Sequence, residues 1–64
     1  MAMMIQELRD LRLQLKISQK EVGKALNYSI GDISNKECGR HVSNIPFLER
    51  YENFLAAVID GRVD

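Results

Sequence analysis

Apolar residues recur along this chain at helical spacing in four separate runs. Ile5, Leu8, Leu11 and Leu15 stand three or four residues apart, which predicts one stripe on a helix covering about residues 3–15. Glu7, Arg9, Asp10 and Gln14 fill much of its other face, and Met1, Met3 and Met4 either lengthen the stripe or belong to a frayed end. Val22 and Leu26 define a second, shorter helix, and Ile33 turns a third inward. Phe47 or Leu48, Tyr51, Phe54 or Leu55, and Val58 give the stripe of a fourth helix, about residues 45–60. No stretch carries a strand signal, so the predicted class is all-α, a compact bundle of four to five helices.

Polar residues punctuate these runs. Ser18 and Glu21 form the S-x-x-E capping box, in which the hydroxyl accepts from the third amide of the helix and the glutamate returns to the cap amide. Asn27 stands where the second helix must stop, and asparagine tolerates the left-handed conformation second only to glycine. Ser29 and Asp32 repeat the box in weaker form. Gly39 suits the end of the third helix and Pro46 the first turn of the fourth; Gly61 is expected to end it. Residues 18–38 thus read as two short helices joined by a tight turn.

Sixty-four residues allow one domain, 1–64, with a modest core. One cysteine, Cys38, excludes an internal disulfide, and with a single histidine makes a zinc site implausible; no metal or cofactor is expected. No apolar run approaches the roughly 20 residues that span a bilayer, and no charged-then-apolar leader pattern opens the chain. A reduced, cytoplasmic location fits the lone thiol. The formal net charge is zero, but unevenly spread. Residues 9–40 hold seven Lys/Arg against four Asp/Glu, whereas residues 41–64 hold two against four. The middle of the chain is mildly basic, and phosphate neutralisation alone would give weak nucleic-acid affinity.

The residues Leu8, Leu11-Arg12, Ile17-Ser18-Gln19, Val22, Leu26, Ser29, Ile33-Ser34, Glu37 and Gly39-Arg40 resemble the DNA-binding domain of the phage Cro/cI-type repressors, the XRE-like helix–turn–helix family with the lambda-repressor-like fold. The likeness covers Leu8 to Arg40, half of the chain. It implies a helix–turn–helix at 18–38 whose second helix enters the major groove. It also implies a structural ion pair between Arg12 and Glu37. Gly23 falls where the family usually has alanine; a small residue lets the helices approach, while glycine weakens a helix interior by about 0.5–1 kcal/mol.

By the same resemblance, base contacts fall on Gln19, Ser29, Ile30, Gly31 and Asn35. Asn35 has the chemistry to bond adenine N6 and N7 together, and Ile30 either meets a thymine methyl or covers the core. Gly31 reads nothing itself but permits close backbone approach. Asp32 is better explained as a cap and as an anion at a helix N-terminus. Backbone contacts are expected from Lys20, Ser34, Lys36, Arg40, His41, Ser43 and Asn44. Lys36 departs from the family's apolar residue, so its stem is expected to cover the core while the ammonium reaches outward. Cys38 reads as an inert small residue.

Helix 4 carries more apolar surface than a core of this size needs, so Tyr51, Phe54, Leu55, Val58 and Ile59 are expected to form a homodimer interface. Paired half-sites on a palindrome are the usual solution for small modules. The expected function is a sequence-specific transcriptional regulator, a repressor binding double-stranded DNA. The alternative is an antitoxin or anti-repressor module whose partner is a protein, favoured by the zero net charge. The sequence as it stands shows no toxin-wrapping tail after Gly61, which tilts the expectation to DNA. An enzyme is not expected: there is no catalytic carboxylate pair, Gly-rich phosphate loop or Ser/His/Asp set.

Overall fold

The computed structural model describes residues 4–62, which form α1 (Ile5–Gln14), α2 (Gln19–Leu26), α3 (Ile30–Glu37) and α4 (Ile45–Arg62). The described residues include no strand, and the all-α expectation with four helices holds. The first three helices end in the same way, with a left-handed residue: Lys16 (φ 60°), Asn27 (φ 65°) and Gly39 (φ 82°). After α1, the Ile17 amide bonds the Arg12 carbonyl and the Lys16 amide that of Leu13. After α3, Arg40 bonds Asn35 and Gly39 bonds Lys36 in the same register. These are Schellman closures, which satisfy the orphan carbonyls of a helix end. After α2, the Tyr28 amide returns to Gly23 O at 2.7 Å.

The helix starts follow the polar punctuation. Ser18 Oγ accepts from the Glu21 amide and Ser29 Oγ from the Asp32 amide, both at 3.1 Å. Asn44 does the same for α4, its Oδ1 accepting from Phe47 N at 3.0 Å, with Pro46 inside the first turn. α1 begins two residues later than expected. Met4 is its extended N-cap, and its amide donates to Glu7 Oε1 at 3.1 Å. The Met4 side chain is exposed and does not lengthen the buried stripe; Met1 and Met3 lie outside the described residues. Gly61 does not end α4, which continues to Arg62. Glycine permits a left-handed stop but does not impose one.

The core is Leu8, Ile17, Val22, Leu26, Ile33, Phe47, Tyr51 and Leu55, with Ile5, Leu11, Leu15, Tyr28, Leu48, Phe54 and Val58 packed against it. Tyr28, Phe47 and Tyr51 stack edge to face, with centroids 5.3 and 5.9 Å apart. Two of the residues expected at a dimer interface belong here instead. Tyr51 and Leu55 are wholly buried within the chain, because the Phe47, Tyr51, Leu55 row of α4 faces the other helices. Phe54 and Val58 are half-buried and Ile59 is exposed.

Gly23 is not the soft spot that helix propensity suggests. A Cβ there would stand 2.6 Å from Tyr28 O and 3.6 Å from Ile33 Cγ1. The turn between α2 and α3 folds back so closely that only glycine fits without a backbone shift. Arg50 closes the same region from α4, donating to Leu26 O at 2.8 Å.

Candidate nucleic-acid interface

The inner side of α3 is committed to structure. Ile33 is fully buried, and one turn on, the buried Glu37 carboxylate accepts four hydrogen bonds. Arg12 Nη2 and Gln19 Nε2 reach Oε1 at 2.9 and 3.2 Å; Arg12 Nε and the Tyr51 hydroxyl reach Oε2 at 3.0 and 2.5 Å. Arg12 Nη1 also donates to Ile17 O at 2.8 Å. The ion pair implied by the resemblance is therefore present, in the bidentate geometry that arginine favours. It is also larger than a pair. Gln19 and Tyr51 join it, so one carboxylate ties α1, α2 and α4 to α3.

Burial pushes the Glu37 carboxyl upward, but the bonds from Arg12, Tyr51 and Gln19, with the Arg12 charge, outweigh it and hold the group below its ordinary value. Burial, together with the bond to the Glu37 carboxylate and its charge, raises the Tyr51 phenol. A lowered carboxylate contributes stability at neutral pH that is lost as pH falls through the native value. Melting temperature should therefore drop below about pH 4, and Glu37→Gln should flatten that acid limb while lowering stability at pH 7. An acid limb equally steep in the variant would assign it to other carboxylates.

The outer side of α3 is free of such duties. Ile30 is 53% exposed, which settles its two readings against covering the core. It is open because it stands in the first turn, ahead of Ile33 on the same side of the helix and short of the core. Gly31 is exposed, and a Cβ there would meet nothing nearer than Ser29 Oγ at 3.9 Å. Asn35 is half-buried, and its side-chain amide has no hydrogen-bond partner among the described residues. Ser34 is half-buried beside it, and Cys38 is exposed. Lys20, Lys24, Arg40 and His41 are all exposed.

Other expected contact residues are turned to internal work. Lys36 Nζ donates to Val42 O at 3.2 Å and lies 4.9 Å from the Phe47 ring centroid and 5.7 Å from that of Tyr28. Its ammonium holds the α3–α4 loop against the aromatic cluster rather than reaching outward. The Ser43 hydroxyl oxygen is buried without a partner, which removes it from any phosphate. The Asn44 side-chain oxygen caps α4. Ser29 Oγ accepts from Asp32 and retains its own proton to donate. Gln19 uses one amide proton on Glu37, which leaves the other proton and its carbonyl oxygen. Sequence reasoning missed the tasks of Tyr51 and Lys36 because both lie across turns from their partners.

Among the described residues, no helix is long and apolar enough to cross a membrane. No protein-family model, curated protein or solved structure matches this chain.

Proposed function

We propose that this chain is a sequence-specific double-stranded DNA-binding regulator, a repressor that binds a palindromic operator as a homodimer. The observation that carries this reading is the division of labour on α3. Ile33 and Glu37 hold the helix in place, while Ile30 at its open N-terminal end, and Gly31 and Asn35 on the other side, are left unengaged. A helix held rigidly by one face, with its opposite face free, is what a major-groove reader requires. In this reading α2 and α3 form the helix–turn–helix. Gln19, Ser29, Ile30, Gly31 and Asn35 face bases, and Lys20, Ser34, Arg40 and His41 face the phosphate backbone. Self-association falls to Phe54, Val58 and Ile59, three apolar residues in the C-terminal half of α4 that the core covers only partly.

A second reading, a module for a protein partner, is favoured by a different observation. Val42 is 87% and Ile45 64% exposed, and the chain carries no net charge. Selection of binding sites from random double-stranded DNA, repeated at several salt concentrations, separates the two. An enriched palindrome is expected, and the absence of enrichment would sink the DNA reading. Asn35→Ala should then cost about 1–3 kcal/mol and relax one base position per half-site. A uniform loss on every sequence would reduce Asn35 to a backbone contact.

A further inference from the structure

The free part of α3 lacks the cationic groups that recognise guanine bidentately. Guanine in the major groove is read chiefly by arginine or lysine, bidentate to O6 and N7. From Ser29 to Asn35 there is no arginine or lysine. The one cation of α3, Lys36, has its ammonium 3.2 Å from Val42 O and over the Phe47 and Tyr28 rings. Arg40 follows the helix, its amide bonded back to Asn35 O at 2.9 Å, and so stands at the C-terminal end, away from the end that meets base edges. The open parts of the helix offer instead a branched apolar side chain, Ile30 at the N-terminal end, and an unengaged amide, Asn35, on the free face. Five residues apart, they flank Gly31 at roughly 140° around the helix. With no Cβ at Gly31 and open space beside it, the helix can settle onto the groove floor between them.

We infer that this chain reads A·T base pairs, a thymine through its C5-methyl against Ile30 and an adenine through N6 and N7 against Asn35. The inference rests on the DNA-binding function proposed above. Gln19 is of the same adenine-reading type, with one proton held by Glu37. The exposed Asp32 carboxylate could accept from cytosine N4 and the Ser29 hydroxyl could bond either kind of pair, so neither supplies the bidentate guanine contact.

The test uses the full chain and the selected operator, with single-atom or single-group changes in the DNA. Deoxyuridine in place of one thymidine removes the methyl alone. At one position per half-site it should weaken binding about fourfold, the equivalent of one methyl group leaving water. Ile30→Ala should bind both operators equally. 7-Deaza-deoxyadenosine removes N7 and should weaken binding at least about fivefold at one position, with Asn35→Ala indifferent to the change. The analogue experiments on the unmodified protein stand even if a variant folds poorly. An operator with guanine or cytosine fixed at the contacted positions overturns the inference and leaves DNA binding intact. So does indifference to deoxyuridine at every thymine. Failure to enrich any sequence overturns both.

Discussion

Glu37→Ala is expected to destabilise the chain by about 3–5 kcal/mol, the usual cost of leaving half of a buried ion pair behind. Four donors lose their acceptor at once: Arg12 Nε and Nη2, Gln19 Nε2 and the Tyr51 hydroxyl. Arg12 then holds a positive charge at 6% exposure with only the Ile17 carbonyl to answer it. A domain of 64 residues has roughly 3–10 kcal/mol in total at 0.05–0.15 kcal/mol per residue, so the variant should lose at least about a third of its stability. Urea denaturation followed by helical circular dichroism measures this directly. Tyr51→Phe grades the network, because it removes one donor and keeps the ring; a loss of about 1.5–3 kcal/mol is expected for a bond to a charged acceptor. Removing both charges together, Arg12→Met with Glu37→Leu, should recover much of the loss, since no unpaired charge stays buried. A Glu37→Ala variant within about 1 kcal/mol of the parent would mean that water already solvates the pair.

What could be read from the sequence follows how local the chemistry is. Ser18, Ser29, Asn27 and Gly39 announce helix ends because a hydroxyl cap or a left-handed turn involves only neighbours. Lys16 adopts the same left-handed conformation without announcing it. A lysine there costs about 1–2 kcal/mol, and the closure is held by burial of the next residue, Ile17, which is a tertiary effect. An apolar stripe says that a face is covered but not by what. That is why Tyr51 and Leu55 read as a dimer surface and are in fact core. Tyr51 is doubly hidden, since its position in the stripe masks the hydroxyl that reaches Glu37. The Lys36 ammonium over Phe47 spans a loop, and no spacing rule links those positions. At the candidate site, residue types suggested what Ile30 and Asn35 could bond. Only the fold shows that Ile30 is exposed and that Lys36, Ser43 and Asn44 are occupied elsewhere.

Gly23→Ala should destabilise the fold, against the direction that helix propensity gives. Propensity favours alanine by about 0.5–1 kcal/mol in a helix interior. The new methyl, however, would stand 2.6 Å from Tyr28 O, a backbone atom that no rotamer change can move away. That carbonyl belongs to the turn in which the Tyr28 amide bonds Gly23 O at 2.7 Å, so relief means separating α2 from the turn that orients α3. Overpacking of this kind costs about 1–3 kcal/mol. Set against the gain in propensity, the clash leaves a net loss of up to about 2.5 kcal/mol. At roughly 4–8 °C per kcal/mol for a domain this small, the shift is readily seen in a thermal melt. Gly31→Ala is the internal control, the same substitution in a helix of the same length. Its Cβ would meet only Ser29 Oγ at 3.9 Å, so propensity should act alone and raise the melting temperature. A rise for Gly23→Ala as well would show that the α2–α3 turn is looser than a 2.6 Å approach implies. If Gly31→Ala gains stability but loses affinity for the selected operator, the open space over Gly31 is where the DNA comes closest to the helix backbone.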